Sequence, residues 1–181
     1  QALQNKQAIS YRFLKDKKGW RVFISTEAVQ KYTVTSTQAG AIGVDINEHH
    51  LAVTETDRFG NPSSSISIPL STYGKSSSQS KAIIGDAVKA LIAFAEDKGK
   101  PVVVEQLDFR KKKANLENEN VKRARQLSSF AYNQILSFIK ARCVDNGIEC
   151  VEVNPAYTSV IGKCKFMTRY GLSSHQAAAC A

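Results

Sequence analysis

Two acidic residues stand out by their surroundings. Ile42-Gly-Val-Asp45-Ile places a carboxylate inside a short β-branched run, and Val102-Val-Val-Glu105 ends a second such run in another. A lone carboxylate in an apolar setting costs several kcal/mol to desolvate unless it is paired or bound to a cation. Two of them on adjacent parallel strands could converge on a hard cation. Mg²⁺ is often held by only one or two protein carboxylates together with substrate phosphates. Two such ions about 4 Å apart can stabilise the attacking and the leaving oxygen of a phosphodiester displacement. The plainer alternative has Asp45 closing a turn with Asn47 and Glu105 meeting a neighbouring arginine, and spacing alone leaves both open.

The second chemical feature is positive charge. Arg110, Lys111, Lys112 and Lys113, followed by Lys122, Arg123 and Arg125, put seven cations into 16 residues, with Glu117 and Glu119 as the only acids among them. Such clusters neutralise phosphates and give salt-sensitive, sequence-independent binding. The bland reading is a solvated loop and helix face. Because the cluster follows the Glu105 strand directly, it would flank the carboxylates. Tyr11, Phe13, Trp20 and Phe23 also sit among basic residues, where they could stack on bases or simply pack a strand.

Composition agrees with an anionic partner. The 181 residues carry 25 Lys+Arg against 16 Asp+Glu, a formal charge of +9, and a pI near 9.4. A basic domain of this kind most often meets nucleic acid, an anionic membrane or acidic proteins, with an ordinary soluble basic enzyme as the alternative. The charge is unevenly placed. Residues 1–40 carry seven basic and two acidic residues, residues 41–109 six and nine, and residues 110–181 twelve and five. With 43% hydrophobic residues the chain can build a core, which argues against disorder. No apolar run approaches the roughly 18 residues of a membrane-spanning helix, and no signal peptide is visible, so a cytoplasmic protein that does not enter a membrane is expected. Cys143, Cys150, Cys164 and Cys180 form no C-x-x-C pair. A zinc ribbon and disulfides are therefore not expected, and reduced thiols that fill the interior are. Residue 1 is Gln and the only methionine is Met167, so the chain reads as a piece of a longer one with elements missing at both ends.

The elements that must position these groups can be read in order. Tyr11-Arg-Phe-Leu-Lys and Trp20-Arg-Val-Phe-Ile-Ser alternate across a turn containing Gly19, a β-hairpin that belongs to a preceding β-module. Residues 30–40 look like a linker, so the expected division is residues 1–40 and residues 41–181. Ala41–Ile46, Leu51–Thr56 and Ser65–Pro69 form a β-meander, with Gly60 and Asn61 at one turn. Ile84, Val88, Leu91 and Ala95 mark a helix over about 79–98. Pro101–Glu105 is a buried strand. A second helix over about 120–145 has Leu127, Phe130, Ala131, Ile135, Phe138 and Ile139 as its stripe, and Asn146-Gly147 stops it. Glu149–Val153 is a strand, Gly162–Gly171 a short basic connection, and Ser173 opens a last helix. The order βββ-α-β-α-β-α gives an α/β fold, a mixed sheet with helices on both faces.

Five segments then carry a resemblance. Gly43-Val-Asp-Ile-Asn-Glu-His-His-Leu-Ala-Val53 resembles the first hairpin of RNase H-like, RuvC-type nuclease domains, and Val103-Val-Glu-Gln-Leu-Asp-Phe109 their second acidic strand. Asn154-Pro-Ala-Tyr-Thr-Ser159 resembles a segment of TnpB, the OrfB protein of insertion sequences. Arg125–Tyr132 and Tyr170–Ala178 resemble a branch of TnpB-related proteins. The resemblance covers about residues 41–181. It implies an RNase H-like (RuvC-type) fold and a transposon-encoded, RNA-guided DNA endonuclease using Mg²⁺ or Mn²⁺, with DNA and a guide RNA as partners. It makes Asp45 and Glu105 the first two metal ligands and catalytic acids. The family's third Asp opens the last helix, where this chain has Ser173-Ser-His-Gln-Ala-Ala-Ala179. His175 could serve there; Gln176 or Ser174 could instead occupy the Asp position and leave a crippled site. Asp108 is a further substitute, although three residues after Glu105 it should face the other way on a strand. The family's zinc ribbon is absent, since only about a dozen residues and the single Cys164 lie where it would be inserted. The alternative function is thus an RNase H-like protein that binds nucleic acid without cutting it.

Overall fold

In this computed structural model the described residues are 8–26, 36–106 and 119–181, and in 119–130 the backbone alone. The chain divides into two compact units, Gln1–Gln30 and Lys31–Ala181. The first is an antiparallel hairpin of β1 (Ile9–Asp16) and β2 (Gly19–Thr26). Its two-residue turn is closed by Gly19 at φ +112°, and the Lys18 N–H donates to Asp16 Oδ1 at 2.8 Å. Asp16 also pairs with Arg21. Tyr11, Phe13, Trp20 and Phe23 are all exposed, with the Arg12 guanidinium over Phe23 and the Lys15 ammonium near Trp20.

In the second unit a 3₁₀ turn (Thr37–Ala39) precedes the meander β3 (Ile42–Ile46), β4 (His50–Thr56) and β5 (Pro62–Pro69). Helix α1 (Ser77–Lys98), strand β6 (Val102–Glu105), helix α2 (Glu119–Asn146) and strand β7 (Cys150–Val153) follow. The five strands form one mixed sheet in the order β5-β4-β3-β6-β7, with β3, β4 and β5 antiparallel and β3, β6 and β7 parallel. The fold is therefore mixed α/β, with a five-stranded mixed sheet.

Strand periodicity divides the residues of the sheet between its two faces. Ile42, Val44, Leu51, Val53, Val102 and Val104 are almost wholly buried and share a core with Ile84, Val88 and Leu91 of α1 and Ile135, Ile139 and Cys143 of α2. Each such side chain contributes roughly 1.5–3 kcal/mol on leaving water. Helix α1 starts where a capping box is written, Ser76-Ser-Ser-Gln79. The Gln79 N–H donates to Ser76 Oγ at 3.3 Å and the Ser76 N–H to Gln79 Oε1 at 3.0 Å. It ends on Gly99 in the left-handed region.

The C-terminal segment departs from the sequence reading. Residues 162–171 are not a plain connection. They continue a helical run made of α3 (Thr158–Gly162), a π-helical stretch (Lys163–Met167) and α4 (Thr168–Tyr170). The widened turns of a π-helix shift the apolar residues off a 3.6 period, so a search for that period loses the register here. Helix α5 (Ser174–Cys180) closes the chain behind its own capping box of Ser173 and Gln176. It lies on the sheet face opposite α1 and α2, so helices cover both faces.

Candidate metal and catalytic site

The register brings Asp45 and Glu105 together. Ile42 pairs with Val102, Gly43 with Val103 and Val44 with Val104, so the next step along both parallel strands sets Asp45 beside Glu105. Neighbouring strands lie about 4.8 Å apart, and equal register puts both carboxylates on one face. That face is the one Gly43 presents to α5, away from the apolar core.

Helix α5 is fitted to this face by backbone contact. A Cβ on Gly43 would lie 1.7 Å from the Ala179 carbonyl oxygen, so only glycine admits the helix. Gly162 of α3 meets the same helix in the same way, with an added Cβ 2.5 Å from the Ala177 oxygen. The buried Thr54 hydroxyl donates to the Gln176 carbonyl at 2.8 Å. Ala177 and Ala178 fill the remaining space without side chains long enough to hold the helix away.

This docking delivers His175. Its Nδ1 lies 2.9 Å from Asp45 Oδ2, and its ring meets His50 of β4 edge to face at 5.4 Å between centroids. Asn47 Nδ2 also donates to Asp45 Oδ2, at 3.2 Å, so the turn-closing contact foreseen as an alternative exists beside the histidine contact. Among the described residues Glu105 meets a threonine: the Thr158 hydroxyl donates to Glu105 Oε1 at 2.5 Å. The neighbouring Arg110 lies outside the described residues. Thr158 is buried and follows Tyr157, the sole non-glycine with positive φ among the described residues (φ 67°). That left-handed residue turns the chain from β7 into α3 and directs Thr158 at the carboxylate. The Tyr132 hydroxyl of α2 donates to the Glu105 carbonyl at 2.9 Å. Burial, with the negative charges of Glu105 and Asp45, pushes the Tyr132 hydroxyl well above its ordinary pKa, so it stays a donor.

Each carboxylate thus has one oxygen engaged. Among the described residues, Asp45 Oδ1 and Glu105 Oε2 receive no hydrogen bond. Two adjacent carboxylates with a free oxygen each fit the way Mg²⁺ is commonly held, by few protein ligands and the substrate's own phosphates. They do not make a complete cage: among the described residues no group of three or more His, Cys, Asp or Glu is disposed to hold a metal ion.

Of the four residues considered for the third position, three lie among the described residues, and of these His175 is the one that reaches Asp45. The Gln176 side chain closes the helix cap and its carbonyl accepts from Thr54, and among the described residues no hydrogen bond joins Ser174 to either acid. Asp108 and the cations Arg110, Lys111, Lys112 and Lys113 lie outside the described residues. Lys122, Arg123 and Arg125 fall in the first turns of α2, and their side chains lie outside the described part of the structure. Sequence reasoning gave no role to Thr158, Tyr132, His50 or Gly43. Thr158 and Tyr132 lie in segments that carried the resemblance, but their contacts cross 53 and 27 residues of chain and had no local signal. Compared with protein-family models and with curated proteins, the chain matches none.

Proposed function

We propose that residues 41–181 form an RNase H-like, RuvC-type domain of a TnpB-related, transposon-associated protein, and that it is a divalent-metal-dependent DNA endonuclease guided by RNA. The observation that carries this reading is the parallel register of β3 and β6, which continues from Val44 and Val104 to Asp45 and Glu105 at matching strand ends, each with one oxygen that accepts no hydrogen bond among the described residues. Asp45 and Glu105 would hold Mg²⁺ or Mn²⁺, which supplies charge neutralisation on the scissile phosphate and a more acidic water. The remaining roles belong to the chain. Thr158 fixes the rotamer of Glu105, and Tyr132 fixes its backbone. His175 places Nδ1 2.9 Å from Asp45 Oδ2; with the carboxylate as acceptor, the neutral tautomer that donates Nδ1–H would leave Nε2 to take a proton from water or return one to a leaving oxygen. The basic residues 110–113, 122, 123 and 125 would seat the phosphate backbone.

A second reading is favoured by one observation: among the described residues the group that reaches Asp45 from the last helix is an imidazole and not a carboxylate. On that reading the domain binds nucleic acid without cutting it. The two are separated by incubating the chain, with any co-purifying RNA, with labelled single- and double-stranded DNA and Mg²⁺ or Mn²⁺. Metal-dependent cleavage that Asp45→Ala abolishes excludes the inactive reading. Tight, salt-sensitive binding with no cleavage under any of these conditions refutes the nuclease.

A further inference from the structure

A second pair of reactive groups lies on the other side of the sheet. Lys140 and Cys143 are three residues apart on α2, and Cys150 and Glu152 are two apart on β7, so each pair shares one face of its element. The two faces meet. Lys140 Nζ lies 2.8 Å from Glu152 Oε1, and one rung further along the same helix–strand contact Cys143 and Cys150 face each other, both packed in the core cluster. Between them the chain is held tightly: the Ile148 N–H donates to the Cys143 carbonyl at 2.8 Å and the Gly147 N–H to the Val144 carbonyl at 3.2 Å. Cys143 is fully buried within the core cluster, and Cys150 packs against that cluster while remaining partly exposed. Cys164 and Cys180 stand apart from this pair, on the C-terminal helical run.

We propose that Cys143 and Cys150 form an oxidant-sensitive dithiol, a modification site that closes to a disulfide tying α2 to β7. The oxidant is hydrogen peroxide. The Cys150 thiolate attacks one peroxide oxygen; the S–O bond forms, the O–O bond breaks, and the departing hydroxide takes up a proton as water. Cys143 sulfur then attacks the sulfenic sulfur of Cys150. The S–S bond forms, the S–O bond breaks, and the proton of Cys143 leaves with the hydroxide as a second water. Two thiols are oxidised by two electrons in all, and the peroxide is reduced to two waters.

The division of labour follows from the surroundings. The neighbouring Cys143 thiol lowers the Cys150 pKa, burial opposes this, and the Lys140 ammonium lowers it further while the Glu152 carboxylate raises it. Cys143 is held protonated by the neighbouring Cys150 and by burial. The partly exposed Cys150 is therefore the nucleophile toward peroxide, and the buried Cys143 resolves it. Closure would staple the C-terminal end of α2 to a strand that adjoins β6, the strand of Glu105, and α2 also carries Tyr132.

The test is peptide mapping of the intact chain, treated with hydrogen peroxide and alkylated without reduction. The expected product is one cross-linked peptide joining Cys143 to Cys150, lighter by two hydrogens than the sum of its reduced halves and restored by a thiol reductant. In Cys143→Ser the expectation is a sulfenic acid on Cys150 that a dimedone probe captures. The proposal is overturned if Cys143 and Cys150 both remain alkylatable while Cys164 oxidises, or if Cys150 proceeds to sulfinic acid in the wild-type chain. The mapping of the wild-type chain decides the matter even should the variant fail to fold.

Discussion

Gly43→Ala tests whether α5 is seated on β3 as closely as the backbone requires. The added methyl would lie 1.7 Å from the Ala179 carbonyl oxygen and 2.8 Å from its carbonyl carbon. Ordinary contact at such a pair is above 3 Å, so in a close-packed interior the helix must retreat by about 1.5 Å. A retreat of that size breaks the 2.9 Å contact of His175 with Asp45 and the 2.8 Å bond from Thr54 to Gln176. The steric cost is about 1–3 kcal/mol. In a unit of this size that lowers the melting temperature by about 3–10 °C. A second readout follows the helix itself. Cys180 lies on α5 with its thiol pushed up to about 11 by burial and by the charge of Asp57. Freed from that site it approaches the ordinary thiol range, so alkylation of Cys180 at neutral pH, resolved by mass spectrometry, should accelerate at least about tenfold. An unchanged melting temperature together with an unchanged Cys180 rate would show that α5 does not rest on β3 at this point.

Two further predictions concern regions away from the site. Gly85 sits inside α1, where an added Cβ meets nothing within 4 Å, so Gly85→Ala should raise stability by about 0.5–1 kcal/mol in urea unfolding, and a loss would refute the open space there. Lys100 Nζ lies 2.7 Å from Glu55 Oε1, with both side chains largely buried, and donates to the Thr56 carbonyl at the same distance. Burial raises the Glu55 pKa, but the bonds from Lys100 and Ser64 outweigh it and hold the carboxyl below its ordinary value. The stabilisation is therefore full above the unfolded value of about 4.3 and is lost as pH falls through the lower folded value. Lys100→Met should cost about 1–3 kcal/mol at pH 7. Its deficit against wild type should shrink near pH 3, and a deficit equal at both pH values would refute the assignment.

The elements of the core were legible because they obey local periodicity. Ile84, Val88, Leu91 and Ala95 recur at helical spacing, and all four are buried. The meander and the two later strands were legible from β-branched runs bounded by turn residues. The boundaries moved by a few residues where caps decide them: α1 begins at Ser77 because the box of Ser76 and Gln79 lies ahead of the first apolar residue. The C-terminal run is not legible as a helix from sequence, because its π-helical turns carry no regular apolar period. Cys143 and Cys150 come to face each other because α2 ends at Asn146 and the chain returns into β7 through a tight turn at Gly147.

The sequence by itself determined which carboxylates are awkward to bury. Asp45 and Glu105 stand in apolar runs, and desolvation makes such residues conspicuous in any fold. It also determined that their strands would be core strands. Only the tertiary structure decided what the carboxylates meet. Parallel register sets them side by side, a glycine on β3 lets α5 approach, and that approach brings His175 to Asp45 across 130 residues of chain. Thr158 reaches Glu105 through a left-handed turn at Tyr157. Desolvation cost is a property of a residue and its neighbours in sequence. Hydrogen-bond partners depend on backbone packing between distant elements, and no local pattern encodes that.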